Sequence, residues 1–399
     1  MSNDKQLQTP LRIGILAGEA SGDQLGGALM AEILALNPKV VFEGIGGPLM
    51  IVQGLDSMVE MDRLSVMGLI EPLKRLFELL AIRKRVKQHF TANPPDLFVG
   101  IDSPDFTLNI ELALREQGIT TAHYVSPSVW AWRQGRVKKI RRGVDMMLTL
   151  FPFEAKFYRE NNVPVAFVGH PLAARFPMVS DQAEVRPKFA ISADAKLLTL
   201  MPGSRKGEVE LMLPVFLAVA EKLKQEIPEL IFRIPAVNKL RHIQIQDLID
   251  EAARLMPNLA NSLQVTIGQS HELMQAADAV LMTSGTTTLE AMLLKRPMVV
   301  AYKMGNWPYR ILSRIVKTPF IALPNLLANK KLVPELIQHE VGVEAIVDEL
   351  RPLLNNGDKK AHLIAEFDAI HRQLAGDNVE SAAQILLSLI DTKREANGR

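Results

Sequence analysis

Short apolar runs, each cut off by a glycine-bearing or proline-bearing turn and followed by a stretch of helical periodicity, recur along this chain. They fall at residues 12–17, 40–45, 97–99, 121–125, 146–150 and 165–168. They then recur at 197–201, 231–234, 265–267, 279–282 and 298–302. Runs this short and this continuously apolar read as parallel strands covered on both faces by helices. The rhythm occurs twice, on either side of a linker near residues 176–195, and 399 residues are too many for one ordinary core. The expected architecture is α/β, with two Rossmann-like domains facing a cleft. Residues 1–176 form the first and 177–375 the second, and 376–399 form a helical tail that crosses back or is exchanged in a dimer.

In open α/β sheets, ligands bind beyond the carboxyl ends of the strands, so the loops there carry the functional reading. The run at 97–99 ends in Gly100-Ile101-Asp102-Ser103-Pro104-Asp105. Pro104 cannot donate to a sheet, which ends the strand. Asp105 suits an N-cap for a helix to about residue 117, and Asp102 falls at or just past the strand end. A carboxylate there can take a proton from an attacking hydroxyl. Spacing alone leaves both acids equally readable as turn and cap residues. The first loop, Gly18-Glu19-Ala20-Ser21-Gly22-Asp23, feeds a helix expected from about residue 24. It lacks G-x-G-x-x-G spacing, and its two acids repel a bare pyrophosphate. It therefore reads as an acceptor-side, sugar-binding loop or as a plain tight turn.

In the second half, Pro202-Gly203-Ser204-Arg205 precedes a helix. Backbone N–H groups and a guanidinium at that position suit a diphosphate without a metal, though Arg205 equally suits an ion pair with Glu208. Ser284-Gly285-Thr286 repeats the pattern, with Glu290 one turn on as a ribose ligand. Asn325, in a loop at 324–328, is the expected polar finger of the same cleft, and everything from residue 333 is expected to be helical. No Asp-x-Asp pair occurs, the eight histidines form no ligand motif, and cysteine is absent. No metal and no cofactor is expected.

Charge decides less. Forty-six basic residues against 44 acidic ones give no case for nucleic acid binding. No run of about eighteen apolar residues suggests a membrane span. The stretch 64–90 is unusual: Val66, Leu69, Ile70, Leu73, Leu76, Phe77 and Leu80 fall at helical spacing, with basic residues interleaved or following. Such a stripe suits a membrane interface, or an ordinary core-facing helix with a solvated basic side. Trp130 and Trp132, beside Arg133 in a proline-containing loop, suit ring stacking or a packing plug.

Taken together, Gly18 to Asp23, Gly100 to Phe106, His123 to Arg133, Pro202 to Arg205, Ser284 to Thr286 with Glu290, and Leu323 to Ala328 resemble the lipid-A-disaccharide synthases of Gram-negative bacteria. The likeness covers nearly the whole chain beyond the first ten or so residues. It implies the glycosyltransferase-B fold and the joining of UDP-2,3-diacylglucosamine to 2,3-diacylglucosamine 1-phosphate with release of UDP. It also implies Asp102 as catalytic acid-base, and a peripheral enzyme on the cytoplasmic face of the inner membrane, in contact with its lipids. A homodimer exchanging C-terminal segments is compatible with it.

Overall fold

A computed structural model describes residues 10–64, 75–259, 262–316, 318–355, 357–376 and 379–396. The chain divides into two compact units, one of residues 1–171 with 376–399, the other of residues 172–375.

The first unit is a seven-stranded, all-parallel sheet. Its strands are β1 (Leu11–Ala17), β2 (Val40–Ile45), β3 (Leu55–Ser57), β4 (Leu97–Ile101), β5 (Thr121–Tyr124), β6 (Met146–Thr149) and β7 (Val165–Phe167), in the order β3-β2-β1-β4-β5-β6-β7. The chain builds outward from β1 in one direction, then returns to its other side with β4. The crevice between β1 and β4, paired through Ala17 and Ile101, is the topological switch point. One sheet face packs on Leu29, Met30 and Ile33 of the helix Ala20–Leu36 and on Leu386 and Ile390 of the helix Ala382–Ala396. Val86 and Phe90 of the helix Leu76–Ala92 and Ile110 and Leu114 of the helix Pro104–Arg115 belong to a second core cluster. The last helix is tied down by Arg394 to Asp96 at 2.7 Å and Lys393 to Asp145 at 3.0 Å.

The second unit repeats the plan. Strands β8 (Leu197–Met201), β9 (Ile231–Ala236), β10 (Leu263–Ile267), β11 (Ala279–Met282), β12 (Met298–Tyr302) and β13 (Glu335–Ile337) form a parallel sheet ordered β10-β9-β8-β11-β12-β13. Its switch point lies between β8 and β11, where Met201 faces Met282. Two strands escape the pattern of apolar runs, β3 and β13. Each has three residues, one of them acidic, and each sits at a sheet edge. The region after residue 333 is therefore not wholly helical.

The helix Ala20–Leu36 starts four residues before the expected point, because Asp23 is not a turn residue. Asp23 is only 4% exposed, and its carboxylate accepts from the backbone N–H groups of Gly47 (2.9 Å), Leu49 (3.0 Å) and Met50 (3.0 Å). It thereby caps the helix Pro48–Val52 from outside, and its assignment to the acceptor side is corrected to a structural role. Asp23→Ala should strand those donors and cost about 3 kcal/mol. Urea denaturation followed by circular dichroism should show the first transition at lower denaturant.

Candidate active site

Asp102 stands at the switch point of the first sheet. Its carboxylate accepts from the backbone N–H of Gly18 at 2.9 Å and of Glu19 at 3.2 Å, the residues that lead into the helix Ala20–Leu36. The helix start favours the anion. Burial outweighs it and pushes the Asp102 pKa up to about 6, with the neighbouring Glu19 charge adding to the rise. The backbone is strained here. Asp102 and Ser103 are consecutive non-glycine residues with φ of 53° and 42°. Thr107 Oγ1 donates to both their carbonyls, at 2.9 and 3.2 Å, which helps hold them in place.

Two glycines leave the room that this carboxylate and the neighbouring Ser103 side chain occupy. A Cβ on Gly22 would lie 1.8 Å from Asp102 Oδ2, and one on Gly18 would lie 2.3 Å from Ser103 Oγ. Gly22 and Ser21 sit in the first helical turn rather than in a loop, Ser21 and Glu19 exposed. The two acids differ in setting. Asp105 lies in the first turn of the helix Pro104–Arg115, capped by Ser103 instead, and its exposed carboxylate pairs with Arg136. Below the site, Gly100 faces His123, whose Nδ1 meets Glu111 Oε1 at 2.7 Å, both side chains fully buried. Nothing in the sequence pattern marked that pair.

The tryptophan loop follows β5. Trp130 is half-buried and donates its indole N–H to Glu154 Oε1 at 3.1 Å, with Phe153 edge-on at 4.7 Å, so it acts as the packing plug. Burial pushes Glu154 up to about 8. Trp132 stays exposed with the Arg133 guanidinium 5.0 Å above its ring.

In the second unit, the loops after β8 and β11 line a cavity of about 500 Å³ that includes Gly203, Ser204, Arg205, Ser284, Gly285 and Thr286. Gly203 has φ of +114° and Gly285 of +154°, left-handed values that let the loop backbones turn. Glu208, also in the lining and the ion-pair partner that the sequence offered for Arg205, reaches back to accept from the N–H of Ser204 and of Arg205, both at 3.2 Å. It also holds the Arg205 guanidinium at 2.9 Å. The loop therefore already holds one carboxylate where an anion is expected. Glu290 is paired with His271 at 3.2 Å, and that hydrogen bond raises the histidine's proton affinity.

Asn325 is not a polar finger. It is fully buried in the helix Leu323–Ala328, donating to Val333 O at 2.9 Å and Glu335 Oε1 at 2.7 Å. Its Oδ1 accepts from Leu332 N at 2.7 Å and Val333 N at 2.8 Å. With every donor and acceptor taken up, it has none for a ligand, and the donor-binding assignment is corrected. Glu335 in turn accepts from Ile321 N at 3.0 Å and Ala322 N at 2.9 Å, and Ser284 Oγ donates to Ile321 O at 3.1 Å. Asn325 thus supports the loop after β11 from behind.

The expected stripe lies partly outside the described residues: Val66, Leu69, Ile70 and Leu73 fall there. Leu76, Phe77 and Leu80 are exposed, Phe77 to 85%, as are Leu49, Ile51 and Val52. Among the described residues no group of three histidines or acids gathers as a metal site requires.

A family model described as lipid-A-disaccharide synthetase matches residues 13–387. The chain belongs to this family. The lipid-A-disaccharide synthase of Hahella chejuensis is 52% identical over 394 residues, covering 98% of this chain and 97% of that protein. The one from Saccharophagus degradans is 50% identical over 96% of this chain and 98% of its own. A UDP-GlcNAc 2-epimerase from Neisseria meningitidis, solved bound to UDP-GlcNAc, is similar in fold. Its TM-score is 0.62 at 12% identity, covering 96% of this chain and all of that one. A glycosyltransferase from Rickettsia africae gives 0.59, covering 97% and 98%. The fold is that of glycosyltransferase-B proteins and the related epimerases.

The glycine gap behind Asp102 is directly testable in this family member. Gly22→Ala improves helix propensity by about 1 kcal/mol yet intrudes on the carboxylate. Turnover should fall by at least tenfold while the thermal melting temperature changes by only a few degrees.

Proposed function

We propose that this chain joins UDP-2,3-diacylglucosamine to 2,3-diacylglucosamine 1-phosphate, releasing UDP and forming the β-1,6-linked disaccharide 1-phosphate with inversion. The family match supports the reaction. The observation that carries the mechanism is the Asp102 carboxylate, half-buried at the switch point between two backbone N–H groups.

A pKa near 6 leaves Asp102 mostly ionised at pH 7 but a far better proton acceptor than an ordinary aspartate. It takes the proton of the acceptor's 6-hydroxyl as that oxygen bonds to the anomeric carbon of the donor. The bond from that carbon to the diphosphate breaks, and the electron pair leaves with UDP. Arg205 and the N–H groups of the loop at Gly203 and Ser204 meet the growing charge, with Ser284, Gly285 and Thr286 across the cavity. Glu208 holds those same donors in the free protein, so the diphosphate displaces it. Glu290 holds the ribose hydroxyls. Gly18, Glu19, Ser21 and Gly22 form the acceptor side around Asp102. Acylated substrates place the enzyme at the cytoplasmic surface of the inner membrane, with Leu76, Phe77 and Leu80 among the contacts. No described helix is long and apolar enough to cross it.

The test is UDP release in detergent micelles containing EDTA, with and without the acceptor. Acceptor-dependent release with disaccharide product is expected. Release only on adding magnesium would overturn the arginine-and-backbone account of the diphosphate. Asp102→Asn should lower turnover by about 10³-fold and Arg205→Ala by about 10²-fold. Near-normal rates in either would remove that residue from the mechanism.

Acidity separates the roles further. The base works only when ionised, so kcat/KM should rise with pH through about 6 and then level. The fold responds in the opposite sense. A carboxyl whose folded pKa is raised binds its proton more tightly in the native state, so stability drains away as pH climbs from 3.8 to about 6. Asp102→Asn removes that burden, and at pH 7.5 the variant should melt higher than the parent while turning over far more slowly.

A further inference from the structure

The segment after β12 is unlike the rest of the second unit. Between Glu290 and Glu335 the chain has no Asp or Glu and eight Lys or Arg, in a protein whose formal charge is only +2. Within it lies the helix Asn306–Ile315, at the carboxyl edge of the sheet, the edge that carries the donor loops. Its spacing sets Trp307 and Ile315 two turns apart, with Arg310 and Arg314 between them. Trp307 is 76% exposed, Ile315 is exposed, and both arginines face solvent.

An exposed tryptophan and isoleucine on a short basic helix without a single acid is the composition of an interfacial segment. The indole sits at headgroup level, and the guanidinium groups meet phosphate. The helix has ten residues, so it can lie on a bilayer and cannot span one. We propose that this helix is a second bilayer contact, carried by the donor unit itself and separate from the exposed residues around Phe77, with anionic phospholipid as its partner. The inference rests on the reading above that both substrates are acylated. It adds that the donor site is held at the lipid surface by its own unit.

The experiment uses the full chain and co-sedimentation with phosphatidylcholine vesicles, with and without phosphatidylglycerol. Each basic residue near an anionic surface is worth about fivefold in partitioning, so Arg310→Gln with Arg314→Gln should weaken binding to the anionic vesicles roughly 30-fold. Binding to neutral vesicles should change little. Tryptophan emission should shift to the blue when anionic vesicles are added, and that shift should be lost in Trp307→Phe. UDP release from substrates in detergent micelles should stay near the parent level in all these variants, which shows that they fold and that the reaction itself stands. Unchanged vesicle binding in the double variant would overturn the proposal. So would a loss of micellar turnover with vesicle binding intact, which would make the helix part of substrate handling or of a protein contact. Absence of UDP release in the parent chain would instead strike the proposed reaction and leave the vesicle result to be read on its own.

Discussion

The burial of one carboxylate organises the first unit. Asp102 is placed by a strand end, a left-handed pair of residues and a helix start, and each costs something locally. Two non-glycine residues at positive φ cost on the order of 1–3 kcal/mol each. A glycine at Gly22 weakens the helix that receives the anion. Burial disfavours the charged form of the carboxylate. These penalties converge on a few residues, and the rest of the unit is conventional: parallel strands, paired faces, and an acid at Asp23 capping the neighbouring helix. The strain stays put because both sheet faces and the last helix fix the elements around it.

How much of this was legible follows from which forces act locally. The strands were readable because a parallel strand buried on both faces is apolar throughout, so β8, β11 and β12 appear at their observed limits. β3 and β13 were not, because a three-residue edge strand with one acid carries no such signature. Asp102 stood out because the switch point is a consequence of strand order. That Asp102 and not Asp105 lies against the glycines is visible only in space.

Asn325 and Asp23 show the complementary failure. Polar residues in glycine- and proline-rich stretches look the same in sequence whether they serve a ligand or the backbone. Asn325 satisfies four partners across seven to ten residues of chain, and Asp23 reaches 24 to 27 residues ahead. Those pairings depend on tertiary approach, which no local spacing encodes. Each braces a neighbouring segment of backbone, Asp23 the start of the helix Pro48–Val52 and Asn325 the stretch at residues 332–335.

On the proposed reading of the loop at Gly203–Arg205 as the donor loop, Glu208 is its resident competitor. A carboxylate tethered three or four residues from the groups it binds acts at an effective concentration in the millimolar range or above. A lone phosphate or a metabolite carboxylate, arriving with a single anionic group, has to outbid it and gains little. A nucleoside diphosphate brings two linked phosphates and a ribose, and so surmounts the same threshold. If it binds the diphosphate as proposed, the loop works as a filter: it stays electrostatically closed to the many small anions of a cell and opens to the few ligands that engage several of its donors together.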